Sequence, residues 1–232
     1  MTKKIILSVH IPKTGGKTFH SILEKVYEEK MAWINQASSC EDAAQQLDDV
    51  NLSEIDIIHG HFPYGLHDLL PDEFEYSYIT FLRHPFERLL SMHAYLADTF
   101  PDMPDFLSWI DSKNSAELDN GMARLLCNGL CITNDTDFSD TVEEKHVLEV
   151  LNNLSTFSFI GTTETYSKSL LNLAAMLKWE YLPLVDRIHA YPNRRHIADL
   201  TPQERTLLHN RFMYDLIIWE EVNSKIKNNT YR

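Results

Sequence analysis

The stretch His10-Ile11-Pro12-Lys13-Thr14-Gly15-Gly16-Lys17-Thr18-Phe19 decides how this chain folds. An apolar, strand-like run from Ile5 to Val9 feeds it, and an amphipathic helical pattern from Thr18 to about Glu29 leaves it. A strand, a tight Gly-Gly turn and a helix N-terminus make an anion site. Backbone N–H groups and the positive end of the helix dipole converge where the loop bends. Gly15 and Gly16 let the backbone come close to a ligand, Lys13 and Lys17 add positive charge, and Thr14 and Thr18 offer hydroxyl donors. The chain has 7 glycines in 232 residues, so two side by side mark a backbone requirement.

A nucleoside-triphosphate loop would read G-x-x-x-x-G-K-[ST]. Gly16-Lys17-Thr18 supplies its end, but Ile11 stands where the first glycine belongs. What remains is a shorter loop, P-K-T-G-G-x-T, suited to one 5′-phosphate group and what it carries. Farther on, Ile55 to His59 reads as a short buried strand running into Gly60-His61-Phe62-Pro63-Tyr64-Gly65, a loop at the strand edge where ligands sit in open α/β sheets. Alternation points His59 and His61 the same way. Either can be satisfied by backbone partners, and a metal site would need further ligands that the neighbouring sequence does not supply.

Tyr76 to Leu82 is aromatic and β-branched, a good strand, and ends in Arg83-His84-Pro85-Phe86-Glu87-Arg88-Leu89-Leu90-Ser91. Pro85 suits the first turn of a helix running to about Ala97. From there Arg83 and Ser91 can converge on one phosphate, the guanidinium as a bidentate charged donor and the hydroxyl as a second.

The first loop resembles the 5′-phosphosulfate loop of sulfotransferases that use 3′-phosphoadenosine 5′-phosphosulfate (PAPS). It is closest to the carbohydrate branch that contains the uronyl 2-O-sulfotransferases, with Lys17 where that branch usually has a hydroxyl residue. R-x-P-x-x-R-x-x-S resembles the same family's 3′-phosphate motif, which would give that phosphate to Arg83 and Ser91. The resemblance covers positions 4 to 98 and continues in shorter segments around Arg124 and Gly161. It implies that His61 is the base that deprotonates the acceptor hydroxyl, a task suited to a histidine's near-neutral pKa. Arg88 matches the motif's second arginine and equally suits a structural ion pair. Arg124 reads as a helix-surface arginine or as a contact to acceptor or cofactor. Arg194 and Arg195, in the basic cluster Pro192 to His196, are donor-site candidates or a solvated loop.

Composition sets outer limits. Hydrophobic residues at 44% and aromatics at 11% describe a globular chain with enough length for a sizeable core. No apolar run approaches a membrane span. Cys40, Cys127 and Cys131 form no even framework and no C-x-x-C pair, which fits a reduced, cytoplasmic protein. A net charge of −13 argues against nucleic acid and against a heavily sulfated polyanion as acceptor.

Elsewhere the patterns predict helices over Cys40 to Val50, Pro101 to Ser112, Ala116 to Leu126 and Thr141 to Leu154. A polar linker covers Asn134 to Asp140. A strand spans Phe157 to Gly161, followed by a helix through Leu177 that Thr162-Thr163-Glu164 caps. A single C-terminal helix runs from Thr201 to about Lys225, with Phe212, Leu216 and Trp219 on one face.

Strands alternating with helices imply a three-layer α/β domain, a central parallel sheet flanked by helices. The resemblance implies its P-loop-like form, as a single sulfotransferase domain over residues 1–232. The expected activity is transfer of a sulfuryl group from PAPS to a hydroxyl of a carbohydrate or other small acceptor, with no metal required. The resemblance implies Lys13 and His61 as the catalytic pair, and Lys13, Thr14, Gly15, Gly16, Lys17, Thr18, Arg83 and Ser91 as the residues that would bind the donor. Two other readings stand beside it: a Mg²⁺-dependent P-loop kinase, and a non-catalytic nucleotide-binding module. The strands end in His59, Arg83 and Gly161, not in the acidic residue that a kinase needs to hold Mg²⁺.

Overall fold

The computed structural model describes residues 2–112, 115–130, 140–185, 191 and 194–228. Five parallel strands form its centre in the order β2-β3-β1-β4-β5: β1 (Lys4–Val9), β2 (Met31–Gln36), β3 (Ile57–His61), β4 (Glu75–Leu82) and β5 (Phe159–Thr162). Register runs from Lys4 opposite Glu75 to Val9 opposite Thr80 on one side of β1, and Val9 lies opposite Gly60 on the other.

Alternation along the strands assigns the two faces. Ile5, Leu7 and Val9 of β1, with Ile58, Tyr78 and Leu82, pack toward α2 (Cys40–Gln45), α5 (Gly121–Leu126), α6 (Glu144–Thr156) and α9 (Met213–Lys227). Ile57, Ile79 and Phe81 pack toward α1 (Gly16–Tyr27) and α7 (Tyr166–Met176). The chain steps one way from β1 to β2 and the other way from β4 to β5. Right-handed crossovers therefore put α1 on the opposite face from the long excursion between β4 and β5. The crevice above the carboxyl ends of β1, β3 and β4 lies where the stepping direction reverses. A further apolar cluster joins α3 (Pro85–Thr99), α4 (Phe106–Ser112), α8 (Pro202–Arg211) and the start of α9 beside that crevice.

The expected α/β sheet is present, with local differences. Met31 to Gln36 is an edge strand, because β3 offers it a parallel partner. The strand around His59 starts at Ile57 and runs on to His61, so both histidines sit on the sheet and not in the following loop. The helices expected over Cys40 to Val50 and Pro101 to Ser112 are shorter, the first ending at Gln45 and the second starting at Phe106, and Ala116–Leu118 is a separate 3₁₀ turn ahead of α5. The C-terminal helix breaks at Phe212, which is fully buried in the α3–α4 cluster. The break turns Asp215 inward, where its carboxylate accepts the amides of Met122 and Ala123 at the start of α5. Cys131, Pro192 and most of the expected polar linker lie outside the described residues.

Candidate active site

The loop from His10 to Thr18 bends through left-handed backbone at Lys13 (φ 68°) and Gly15 (φ 86°). At Lys13, a non-glycine residue, this costs on the order of 1–2 kcal/mol, so the surrounding loop has to enforce it. Part of the enforcement is Thr14, whose buried hydroxyl donates to the Ile11 carbonyl at 2.8 Å. The expected hydroxyl donor to a ligand is thus turned into the loop, while Lys13, Lys17 and Thr18 line the cavity above it. Tyr166 of α7 closes the other side, its hydroxyl donating to the Gly15 carbonyl at 3.0 Å. α1 starts directly at Gly16, with no capping side chain and no acidic residue in its first turn, which leaves the positive end of the dipole directed at the loop.

Arg83 follows β4 and donates from Nη1 to the Lys13 carbonyl at 3.0 Å, tying the second motif to the first. Ser91, two turns into α3, is buried and lines the same cavity. Glu87, one turn after Arg83, organises the cations here. Its Oε2 lies 3.5 Å from Arg83, 2.5 Å from Arg194 and 3.4 Å from His196, and its Oε1 accepts the Ile197 amide. Those hydrogen bonds and charges hold the Glu87 carboxyl below the usual range, against the burial that pushes it up. Arg194 reaches the cavity, whereas Arg195 turns to Glu204 of α8 with two contacts of 2.9 Å.

The other two arginines resolve differently. Arg88, 1% exposed, pairs with Glu117 and lies 3.7 Å from the fully buried Asp215. Arg124 is buried rather than on a helix surface, paired with Asp119 at 2.5 Å and Asp140 at 3.4 Å.

On the opposite side of the loop, His61 lines the cavity, and its Nδ1 lies 2.8 Å from the His10 carbonyl. A carbonyl only accepts, so Nδ1 carries the proton and Nε2 keeps its lone pair. Burial lowers the His61 pKa, and the His10 carbonyl and the Glu117 carboxylate pull it back up. His59 is fully buried against Ser8 (2.9 Å) and does not line this cavity, and burial pushes its pKa down to about 3. Lys13 comes down to about 8, mainly by burial and then by the neighbouring Lys17, Arg83 and Arg194. Its ammonium sits 4.3 Å from the centre of the Tyr95 ring.

Lys13, Lys17, Thr18, His61, Arg83, Ser91 and Arg194 share one cavity of about 1480 Å³. That exceeds the roughly 300–1,000 Å³ of a site for one small ligand, so it has room for two. By sheet order, Arg83 and the Thr163–Tyr166 segment lie to one side of the loop, and Gln36 and His61 to the other. The Tyr64 amide, just after β3, donates to the Leu125 carbonyl and brings α5, with Arg124, to the His61 side. Among the described residues no group of three or more His, Cys, Asp or Glu side chains is arranged to hold a metal ion.

The residues that sequence reasoning did not single out are His10, Glu87, Tyr95, Glu117 and Tyr166. Glu87 carried a signal, standing one helical turn after Arg83. Tyr95 and Tyr166 carried none, because their approach depends on how α3 and α7 pack.

A model of the sulfotransferase family matches residues 2–220. A sulfotransferase from Alicyclobacillus acidocaldarius superposes with a TM-score of 0.54 at 11% identity over 96% of each chain, which shows a shared fold. A mouse sulfotransferase, SULT7A1, complexed with PAP, gives a TM-score of 0.43 at 14% identity over 80% of this chain and 60% of that one. No curated protein sequence matches the chain.

Proposed function

The chain belongs to the sulfotransferase family of enzymes, and on that premise we propose that it moves a sulfuryl group from PAPS to an uncharged carbohydrate or similar small hydroxyl acceptor. One observation carries this reading. The Gly15-Gly16 loop with Lys13, the Arg83–Ser91 pole and the Nε2 side of His61 open into a single cavity with room for donor and acceptor together.

The residues fit a 3′-phosphorylated nucleotide: α1 amides, Lys17 and Thr18 for the 5′ side, Arg83 and Ser91 for the 3′-phosphate, with Arg194 joining them through Glu87. Thr14 serves this binding by shaping the loop. In the reaction, His61 Nε2 takes the proton of the acceptor hydroxyl as that oxygen bonds to sulfur. Lys13 stabilises the negative charge left on the bridging phosphate oxygen as its bond to sulfur breaks. The products are a sulfate ester and 3′,5′-adenosine bisphosphate. Positioning and electrostatics supply the rate.

The His61 side favours an acceptor without acidic groups. Among the described residues Arg124 lines the cavity there, and it and the nearby Arg88 are buried and held by four carboxylates, Glu117, Asp215, Asp119 and Asp140. The cations that line the cavity beside the loop, Lys13, Lys17, Arg83 and Arg194, fall to the donor. The same reading takes residues 1–232 as one sulfotransferase domain in the cytoplasm. Two buried free thiols, Cys40 and Cys127, suit reducing conditions, and no helix among the described residues is long and apolar enough to cross a membrane.

The test is a thermal-shift comparison of 3′,5′-adenosine bisphosphate, AMP, and ATP with Mg²⁺. A ligand of the folded state at a hundred times its Kd adds about 2.7 kcal/mol. A shift with the bisphosphate that AMP does not reproduce and Mg²⁺ does not change supports the donor site. A shift only with ATP and Mg²⁺ overturns it in favour of a kinase. Binding of the bisphosphate without transfer to any acceptor would leave a non-catalytic nucleotide module.

A further inference from the structure

His10 opens the donor loop, yet its contacts run to the base. Its carbonyl accepts from His61 Nδ1, and its ring stacks on His61 with centroids 4.2 Å apart and planes 25° from parallel. Its other edge lies against the first turn of α1, where a Cβ added to Gly16 would stand 1.5 Å from His10 Nε2. The absence of a side chain at Gly16 is therefore what admits the ring. His59 continues the stack at 5.3 Å and 14°, itself fixed by Ser8, and His20 follows at 5.6 Å. His10 Nδ1 is buried with no hydrogen-bond partner among the described residues. Leaving a buried polar atom unpaired is costly, so its own hydrogen bonding does not explain a histidine here. Its shape does, because a flat ring fills the gap between a glycine of the loop and the imidazole of His61.

We infer that His10 is a positioning residue that holds His61 in the Nδ1–H form and ties its orientation to the state of the donor loop. The inference rests on reading His61 as the base. Gly16 begins α1, whose amides face the 5′ group, so a ligand that moves the loop presses on the same ring that supports His61. Removing the His10 ring leaves the carbonyl in place but takes away the stack, freeing His61 to rotate.

The experiment uses protein labelled with ¹⁵N in histidine, in which two-bond ¹H–¹⁵N correlation spectra report which ring nitrogen is protonated. The His61 signal is identified by its loss in His61→Gln. In the parent protein His61 is expected as Nδ1–H, with signals that shift on adding 3′,5′-adenosine bisphosphate. In His10→Ala both tautomers should appear and the response to the bisphosphate should vanish, while His10→Phe, which keeps a ring, should retain it. A parent His61 protonated on Nε2 overturns the inference. So does a His10→Ala protein that keeps both the tautomer and the response. If His10→Ala does not fold, the parent still decides: a His61 signal indifferent to bisphosphate that thermal shift shows to be bound also overturns it. Should the bisphosphate fail to bind at all, the donor assignment falls, and the tautomer alone then decides whether His10 positions His61.

Discussion

Arg88 is where sequence left two roles open, and Arg88→Ala separates them. Its guanidinium is 1% exposed and stands between Glu117 and Asp215, and the fully buried Asp215 also accepts the Met122 and Ala123 amides. Removing one partner of such a buried set costs about 3–5 kcal/mol, because a desolvated carboxylate is left without its counter-charge. In a chain of this length each kcal/mol moves Tm by roughly 2–4 °C, so a fall of roughly 6–20 °C is expected. Nucleotide binding should survive in the folded fraction, and 3′,5′-adenosine bisphosphate should still raise the lowered Tm. The deficit should also depend on pH. Asp215 is raised to about 6 by burial even with Arg88 beside it, and loses that restraint in the variant, so its folded pKa climbs further. Between the unfolded value and the raised folded value the native state holds a proton that the unfolded chain has lost. Stability then falls as pH rises, by up to about 1.4 kcal/mol per unit. The parent levels off above about 6 while the variant keeps falling, so the gap in Tm widens from pH 6 to pH 8. Scanning calorimetry across that range is the assay. A Tm within 2 °C of the parent (below the ~6 °C minimum expected), together with loss of the bisphosphate shift, would refute this and place Arg88 on the nucleotide.

Three further outcomes follow from the site. His61→Ala should lower sulfuryl transfer by roughly two to four orders of magnitude with little change in donor affinity. If transfer persists in that variant and disappears in His59→Ala, the base has been misassigned. Lys13→Ala should cost a similar factor. Because the Lys13 pKa is lowered to about 8 in the free protein, its ammonium is lost as pH rises past that value, and kcat/KM for the donor should decline above it; in Lys13→Arg, always charged, that decline should be absent from the pH profile of kcat/KM. Finally, His59, depressed to about 3 by burial, is neutral when folded at pH 5 but protonated when unfolded, so stability is lost as pH falls below about 6.5. Urea unfolding of the parent and of His59→Gln should give a parent-minus-variant difference about 2 kcal/mol smaller at pH 5 than at pH 7, a comparison from which Asp215 and the other titrating groups cancel. An unchanged difference would show that His59 accepts its proton without opening the fold.

Local periodicity made β1, β3, β4 and β5 legible, while the edge strand β2 needed its partner β3. Ile5 to Val9 and Tyr76 to Leu82 carry strand patterns that end in loops rich in Gly, Pro, Lys and Arg, and both are strands with cavity-lining residues at their ends. The helix break at Phe212 was not legible, because it answers to burial against α3 and α4, more than a hundred residues earlier in the chain. At the candidate site, the sequence by itself determined the residue types gathered at the loop: glycines that let the backbone approach, lysines and Arg83 for charge, and a histidine at a neighbouring strand end. Each of these is a property of a short segment. Only the tertiary structure decided which groups face the cavity. It turned the Thr14 hydroxyl inward, took Arg88, Arg124 and Arg195 into ion pairs, sealed His59 behind Ser8 and left His61 on the open side. The reason is that hydrogen bonds and ion pairs are fixed by partners distant in sequence, Asp215 for Arg88 and Glu204 of α8 for Arg195, and a motif holds no record of those partners.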